Sequence, residues 1–385
     1  MEELGETNYR IEVDGKSEVG DNYMGEVIFF RIISLDSKHE YSFVMKTAKK
    51  SEELRKKVPI EEAYTRELFM YSKIFQYFRE FIQEVNPEFE FDFVPKVYSL
   101  DSSPQQETLI FENLRTNGFK LHDRKKPWNL DHSLEAMKSY GKFHALSLAV
   151  RDQKPDIYKN LTKDLKVFEV FDNDKLMRSF YEKPLRNAIQ LLKNANRNDL
   201  AIKYEENFDS VLSTPTEEED KLVICHSDCW NNNFMFKYQD GDEETPSKLV
   251  LLDFQLSTLD TPVKDLVFNI YTTCDKSVLD HLDLLLVTYY ETLSTSIRSL
   301  GSNPDEIFTF EQLNQLWKKY SKFGALISLI LVKLELIDKA DAPDLTKLTE
   351  DDVKCEDWYN IKPKDLEEYN RRVLDVYIHH GERFL

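Results

Sequence analysis

VICHSDCWNNNFMFKY, residues 223–238, sets two β-forming runs on either side of a polar middle. Asn and Asp favour turns because their side chains bond to nearby backbone, so a hairpin loop is the plain reading. The alternative is that one of these polar groups does chemistry, and the rest of the chain bears on that choice. Its 385 residues are 41% apolar and 12% aromatic, ample for a packed core. The formal charge is −19, the opposite of the basic excess that duplex binding needs, so nucleic acid is not an expected partner. Cys225, Cys229, Cys274 and Cys355 are too few for a disulfide framework, and no second Cys/His pair completes a zinc site around Cys225 and Cys229. They read as reduced thiols in a cytoplasmic protein. The polar start MEELGETNYR has no signal-like apolar segment, and Phe323–Val332 is too short to span a bilayer.

Working outward, the first hundred residues mix β and α patterns. GEVIFFRIIS (25–34) and YSFVMKTA (41–48) read as a hairpin-like pair of strands. Residues 60–82 carry Ile60, Tyr64, Tyr71, Ile74, Phe78 and Ile82 at helical spacing. FVPKVYSL (93–100) and ETLIFENL (107–114) are two further short β-like runs. Beyond Leu114 the texture is helical, beginning with SLEAMKSYGKFHALSLAV (133–150), which reads as amphipathic. One interruption breaks it, the strand-like pair 233–238 and 248–255 across the polar loop QDGDEETPS. The expected layout is a β-rich lobe, residues 1–114, and a helical lobe with one β-hairpin, residues 115–385.

The chemistry-bearing residues follow an order. Asn233 lies five residues after Asp228, the spacing of a kinase catalytic loop, and Asp253 ends the next apolar strand, just before an aromatic. A phosphoryl-transfer site needs a carboxylate near the attacking hydroxyl and an Asn and Asp to hold Mg2+. It also needs a strand lysine for the nucleotide phosphates and a helix glutamate to hold that lysine. Lys46 lies in YSFVMKTA on the face of Val44 and Ala48, and Glu67 lies on the apolar stripe of the following helix. A carboxylate on a buried stripe is costly unless paired, and Lys46 is its natural partner. Upstream, Gly20, Asn22 and Gly25 fall in VGDNYMGEVIFF, a turn whose backbone N–H groups could cover phosphates. Taken singly, each has an ordinary reading: hairpin glycines, a lysine extending its stem to solvent, an edge-of-stripe glutamate, turn residues, a strand-end cap. Taken in order, the six elements point to an ATP- and Mg2+-dependent phosphotransferase.

The chain resembles the ecdysteroid kinase-like (CHK kinase-like) family, related to choline kinases and aminoglycoside phosphotransferases. The resemblance rests on GDNYMGEVIFFRI, FVMKT, YTRELFMY, LIFENL, GFKLHDRKKPWNLDH, KFHALSLA, CHSDCWNNNFMFKY and VLLDFQLSTLDTPVKDL. It implies an α+β, two-lobed protein-kinase-like fold, with a small antiparallel β-sheet N-lobe carrying one helix and a large, mainly α-helical C-lobe. By position it implies Asp228 as catalytic base, Asn233 and Asp253 as Mg2+ ligands, and Lys46 with Glu67 at the ATP phosphates. It further implies Glu112, Asn113 and Leu114 as a hinge meeting adenine through backbone, Asp265 as a brace of the catalytic loop, and His226 as a packing and orienting group. His144, on an apolar helical stripe, reads as core. The implied acceptor is a hydroxylated small molecule, an ecdysteroid or a xenobiotic in detoxification. A cationic acceptor of the choline or aminoglycoside type and a non-catalytic ligand binder stay open. Two departures stand out: Ser227 replaces the family's usual glycine, and Cys229 replaces a larger apolar residue. A protein kinase is disfavoured, because the DFG glycine and an APE-like segment are missing.

Overall fold

Strand-forming runs and one long helix build the upper lobe. In the computed structural model, residues 7–17, 24–167, 174–213, 215–239, 242, 244–338 and 365–385 are described. Five antiparallel strands, β1 (Tyr9–Lys16), β2 (Gly25–Ser34), β3 (Glu40–Ala48), β4 (Val97–Asp101) and β5 (Thr108–Glu112), lie in the order β1-β2-β3-β5-β4. The β2–β3 hairpin is as expected, with Gly25 opposite Ala48 and Val27 opposite Lys46. Strand β1 has no counterpart in the sequence reading. Its apolar side chains are exposed (Ile11 58%, Val13 70%), so it carries no burial signal. It is held at the sheet edge by the β2 ladder and by Arg31, which pairs with Glu12 and Asp14 of β1 and with Glu40.

The short helix α1 (Glu52–Lys57) leads into α2 (Ile60–Phe69) and α3 (Phe75–Val85), which form one rod interrupted by a π-turn at Met70–Ile74. The expected lone helix is therefore a rod with an extra residue in its middle and a one-turn helix before it. A π-turn shifts the buried face of a helix, and such turns are frequent at functional sites. Tyr71, within it, lines the cleft described below.

The lower lobe is built on α4 (Leu130–Gln153), capped by the Asn129 side chain accepting from the His132 N–H. Residues 143–150 are buried without a break, so α4 is a central rod and not the amphipathic helix its sequence suggests. Helices α5 (Pro155–Thr162), α6 (Asp174–Asn194), α7 (Asn198–Glu206) and α8 (Phe208–Leu212) follow it in the chain. Then come α9 (Pro262–Thr273), α10 (Lys276–Leu279), α11 (Leu282–Ser299), α12 (Pro304–Ile307), α13 (Phe310–Glu335) and α14 (Leu366–Arg383). Helix α11 packs on α4 at Gly141, and α13 packs on α9 at Gly324.

The lower lobe holds more β-structure than one hairpin. β6 (Phe119–Leu121), β8 (Phe234–Tyr238) and β9 (Pro246–Leu251) form a three-stranded sheet, while β7 (Val223–Cys225) pairs with β10 (Thr258–Asp260). The two runs flanking the polar stretch 226–233 thus belong to different sheets. The stretch is a bridge between sheets, not a hairpin turn.

At Gly324 a Cβ would stand 2.5 Å from the Val267 carbonyl oxygen and 2.7 Å from Val267 Cβ. Overpacking of this kind costs about 1–3 kcal/mol. Gly324→Ala is expected to lose that much in urea unfolding, and unchanged stability would refute the close α9–α13 contact.

Candidate active site

The site is assembled from segments far apart in the chain. Lys46, in the middle of the sheet between Val27 and Leu109, is 6% exposed. Its Nζ lies 2.6 Å from Glu67 Oε2 and 2.7 Å from Asp253 Oδ1. The Glu67 pairing matches the sequence reading, whereas the direct contact with Asp253 was not foreseen. Burial would lower the Lys46 pKa, but the Asp253 and Glu67 carboxylates overcome it and keep the ammonium charged. Glu67, 1% exposed, is pushed upward by its own burial against the pull of Lys46.

Arg66, beside Glu67, donates to the carbonyls of Lys166 (2.7 Å) and Ser257 (3.2 Å). One turn of α2 is thereby tied to segment 253–257 at two points, by the Lys46 relay and by a guanidinium on backbone. Phe254 fills the space between, its ring 4.8 Å from that of Phe75 and 4.6 Å from that of His226. Asp253 itself has φ +63°, a left-handed conformation that Asp tolerates better than most residues.

The polar stretch 226–233 is laced to the same segment. His226 Nε2 donates to the Leu252 carbonyl (2.7 Å), the Leu252 N–H donates to the Asn233 carbonyl (2.9 Å), and the Asp228 N–H donates to His226 Nδ1 (3.2 Å). These bonds require a neutral His226 with its proton on Nε2, and burial lowers its pKa. Asn233 Nδ2 donates to the Asp228 carbonyl (2.9 Å) and to Asp228 Oδ2 (2.7 Å). Burial and then the Asp253 charge raise Asp228 to about 7, against the Asn233 bond and Lys46.

Beneath the stretch sits Asp265, in the first turn of α9 and 1% exposed. It accepts from the N–H groups of His226 (2.7 Å) and Ser227 (2.9 Å) and from Cys229 Sγ (3.3 Å). His144 completes this set: Nε2 lies 3.2 Å from Asp265 Oδ2, and Nδ1 lies 2.9 Å from the Tyr289 hydroxyl. Burial would raise Asp265, yet the His144 bond and the other donors hold it below the usual carboxylate range. His144 is a core residue as read from sequence, but its role in this brace was missed. The available signal was a titratable side chain on a wholly apolar stripe, which needs a partner. Asp265, His144 and Cys225 also bring ligand-type atoms together, but hydrogen bonds account for their arrangement. Burial raises the Cys225 and Cys229 thiols well above their usual range, as expected of inert core cysteines.

A second network reaches the stretch from the C-terminal helix. Buried Arg372 of α14 pairs with buried Glu335 of α13 at 2.7 Å, and Glu335 Oε1 lies 3.4 Å from the Asn231 N–H. Trp128 Nε1 donates to Asn231 Oδ1 at 3.1 Å.

Ser227 has φ +66°, so its position does need the backbone that glycine adopts freely. Asp228 keeps its bonds to Asn233 nonetheless. The left-handed conformation costs about 1–2 kcal/mol in a residue with a Cβ. The Ser227 Oγ bond to Thr258 Oγ1 (2.8 Å) returns about 1 kcal/mol.

Above these groups lies a cleft of about 450 Å3. Val27, Val44, Met235 and Leu252 line it together with Lys46, Asn233 and Asp253 and with Glu112–Leu114. The Glu112 carboxylate accepts from the Lys96 N–H and from Asn117 Nδ2, and Asn113 Nδ2 donates to Ser42 Oγ. Gly20 and Asn22 lie outside the described residues. Gly25 is not among the cleft-lining residues. A Cβ there would fall 1.8 Å from the Tyr64 hydroxyl, which accounts for the glycine by packing. Among the described residues, no helix is long and apolar enough to cross a membrane.

The model of the ecdysteroid kinase-like family matches residues 19–302. Among solved structures, the Plasmodium vivax ethanolamine kinase is similar at 14% identity and TM-score 0.38, covering 96% of this chain and 81% of that one. The GDP complex of wild-type aminoglycoside 2′-phosphotransferase-IIIa is similar at 12% identity and TM-score 0.39, covering 86% and 94%. No curated protein matches the chain.

Two outcomes follow from this geometry. Ser227→Gly is expected to change stability by less than about 1 kcal/mol, because the relieved strain is offset by the lost hydroxyl bond and by backbone entropy. Ser227→Val is expected to cost about 2 kcal/mol or more in denaturant unfolding, and a neutral valine would refute the strained backbone. The raised Asp228 pKa makes the wild-type protein lose stability as pH rises from the ordinary carboxylate range toward about 7. Asp228→Asn should therefore melt higher than wild type above pH 7, with the difference fading as the pH is lowered toward 4. A pH-independent difference in melting temperature would contradict the assignment.

Proposed function

Because the chain belongs to the ecdysteroid kinase-like family, we propose that it transfers the γ-phosphoryl group of ATP to a hydroxyl of a small molecule. The observation that carries this reading is that Lys46, Glu67, Asn233 and Asp253 line one cleft, with Asp228 hydrogen-bonded to Asn233 at its wall. In that reading residues 1–114 bind nucleotide, and residues 115–385 carry the catalytic loop and the acceptor.

The aliphatic pairs Val27/Val44 and Met235/Leu252 suit a flat base between them, with the Glu112–Leu114 backbone along its edge. Lys46, fixed by Glu67, supplies positive charge at the phosphate end. Hydroxyl activation falls to Asp228, which accepts the proton as the new P–O bond forms. Its raised pKa brings it close to working pH, where a general base is most effective. Asn233 uses its amide N–H on Asp228, so its amide oxygen is the atom available to a cation. Together with the Asp253 carboxylate it forms a hard oxygen donor set of the kind Mg2+ prefers. Bound there, Mg2+ would supply charge neutralisation for the transferring phosphoryl group. Positioning and electrostatics then provide most of the acceleration.

The acceptor class proposed is a hydroxylated apolar compound, a steroid of the ecdysteroid type or a xenobiotic, in keeping with the family. A detoxifying role and a cytoplasmic location belong to the same proposal. The intact Asp228–Asn233 geometry despite Ser227 favours catalysis over ligand binding alone.

Asp228→Asn is expected to lower turnover by about 10²–10⁴-fold, the usual worth of a general base, while ATP affinity by calorimetry is kept. Asp253→Ala is expected to lose Mg·ATP affinity as well. Wild-type turnover in Asp228→Asn, with a steroid and xenobiotic alcohol panel and phosphate mass gain as readout, would overturn the reading.

A further inference from the structure

On the far side of Glu112 and Leu114 lies a second hollow, of about 530 Å3, which shares those two residues with the cleft. Phe91, Phe119 and Val250 give it apolar walls. Four cations surround it, Arg79, Lys96, Lys237 and Lys248, against the carboxylates of Asp92 and Glu112. Asp92 is paired with a cation, whereas Glu112 accepts only from neutral donors, so the three remaining cations exceed the one uncancelled carboxylate by two charges. Asp92 pairs with Lys248 at 2.6 Å, and the two Glu112 oxygens accept from the Lys96 N–H and the Asn117 amide.

Among the described residues, the charged groups of Arg79, Lys96 and Lys237 then have no anionic partner. Each lies over an aromatic ring instead: Arg79 4.6 Å from Phe91 and Lys237 5.8 Å from Phe119, both of the hollow's wall, and Lys96 4.4 Å from Tyr98 just outside it. A ring attracts a cation by about 0.5–2 kcal/mol but takes up few of its N–H donors, which at the exposed Lys96 and Lys237 are open to water or to an anion. The case is sharpest for Arg79, which is half-buried and whose charged form burial disfavours. A desolvated guanidinium ordinarily has a carboxylate or phosphate in its fork.

We propose that this hollow binds a small organic phosphate, its dianionic head among Arg79, Lys96 and Lys237 and its apolar body against Phe91, Phe119 and Val250. Three cations match a dianion better than a single carboxylate. The site is separate from the cleft and does not depend on the phosphotransfer reading.

The test uses 1-naphthyl phosphate with the full-length protein, in the presence of Mg2+ and a non-hydrolysable ATP analogue. Calorimetry is expected to show saturable binding, weakened about tenfold or more for 1-naphthol, which lacks the charge. The Arg79→Gln/Lys96→Gln/Lys237→Gln variant is expected to lose about tenfold or more in affinity for 1-naphthyl phosphate. Lys96 and Lys237 are exposed, so Lys96→Gln/Lys237→Gln serves if the triple variant fails to fold, and it too must weaken binding. No saturable binding to wild type, equal affinity for 1-naphthol, or unchanged affinity in the variants would overturn the proposal. The variants locate the site whether or not the analogue binds the cleft, so failure here and failure of the phosphotransfer reading are told apart.

Discussion

The Lys46 ammonium stands between two carboxylates that come from opposite lobes. Leaving such a group buried and unpaired would cost several kcal/mol, so the three side chains constrain one another strongly. Glu67 can meet Lys46 only if α2 lies against β3 with its stripe turned inward. Asp253 can meet it only if the chain turns through a left-handed residue directly after β9. Arg66 then fixes the other side of the same helical turn to Ser257. The relative placement of sheet, helix and the 253–257 segment is thus set by a few polar contacts, with Phe254 filling the space they enclose.

From there, order passes into the lower lobe by hydrogen bonds to backbone. His226 and Asn233 are joined through Leu252, and Asp265 holds two successive N–H groups of the stretch from below. His144 and Tyr289 hold Asp265 in turn, and Glu335 with Arg372 reaches Asn231 from the C-terminal helix. Buried charges of this kind are weak evidence for net stability. What they do supply is a single geometry, since each carboxylate has its donors in only one arrangement.

Much of this was legible in the sequence where a local rule sufficed. The β2–β3 hairpin followed from composition and turn residues, and the Lys46–Glu67 pair from the need of a buried carboxylate for a partner. Asp228 and Asn233 were fixed by spacing. Strand β1 escaped because its apolar residues face water and so give no burial signal. The three-stranded sheet escaped because β6 has only three residues, far in sequence from β8. Helix α4 reads as amphipathic because small and polar residues such as Ser139, Gly141 and Ser147 interrupt its apolar ones. In the fold these residues and His144 are where other elements come closest or where a hydrogen bond is needed, as at His144 with Asp265 and Ser147 with the Ile224 N–H. The left-handed backbone at Ser227 was signalled by the glycine usual in the family, whereas that at Asp253 had no signal, because it is set by tertiary contacts.

Gly25 and Tyr64 meet so closely that the phenol occupies the place where a side chain would begin. The two positions are 39 residues apart in the chain yet share one volume. They are therefore not free to drift independently during descent. A lineage that acquires any side chain at position 25 must trade the tyrosine at 64 for something shorter and also shift the Thr47 carbonyl, which would stand 2.7 Å from the new Cβ. A joint pattern of substitution at this pair would be the mark of the contact in sequences alone.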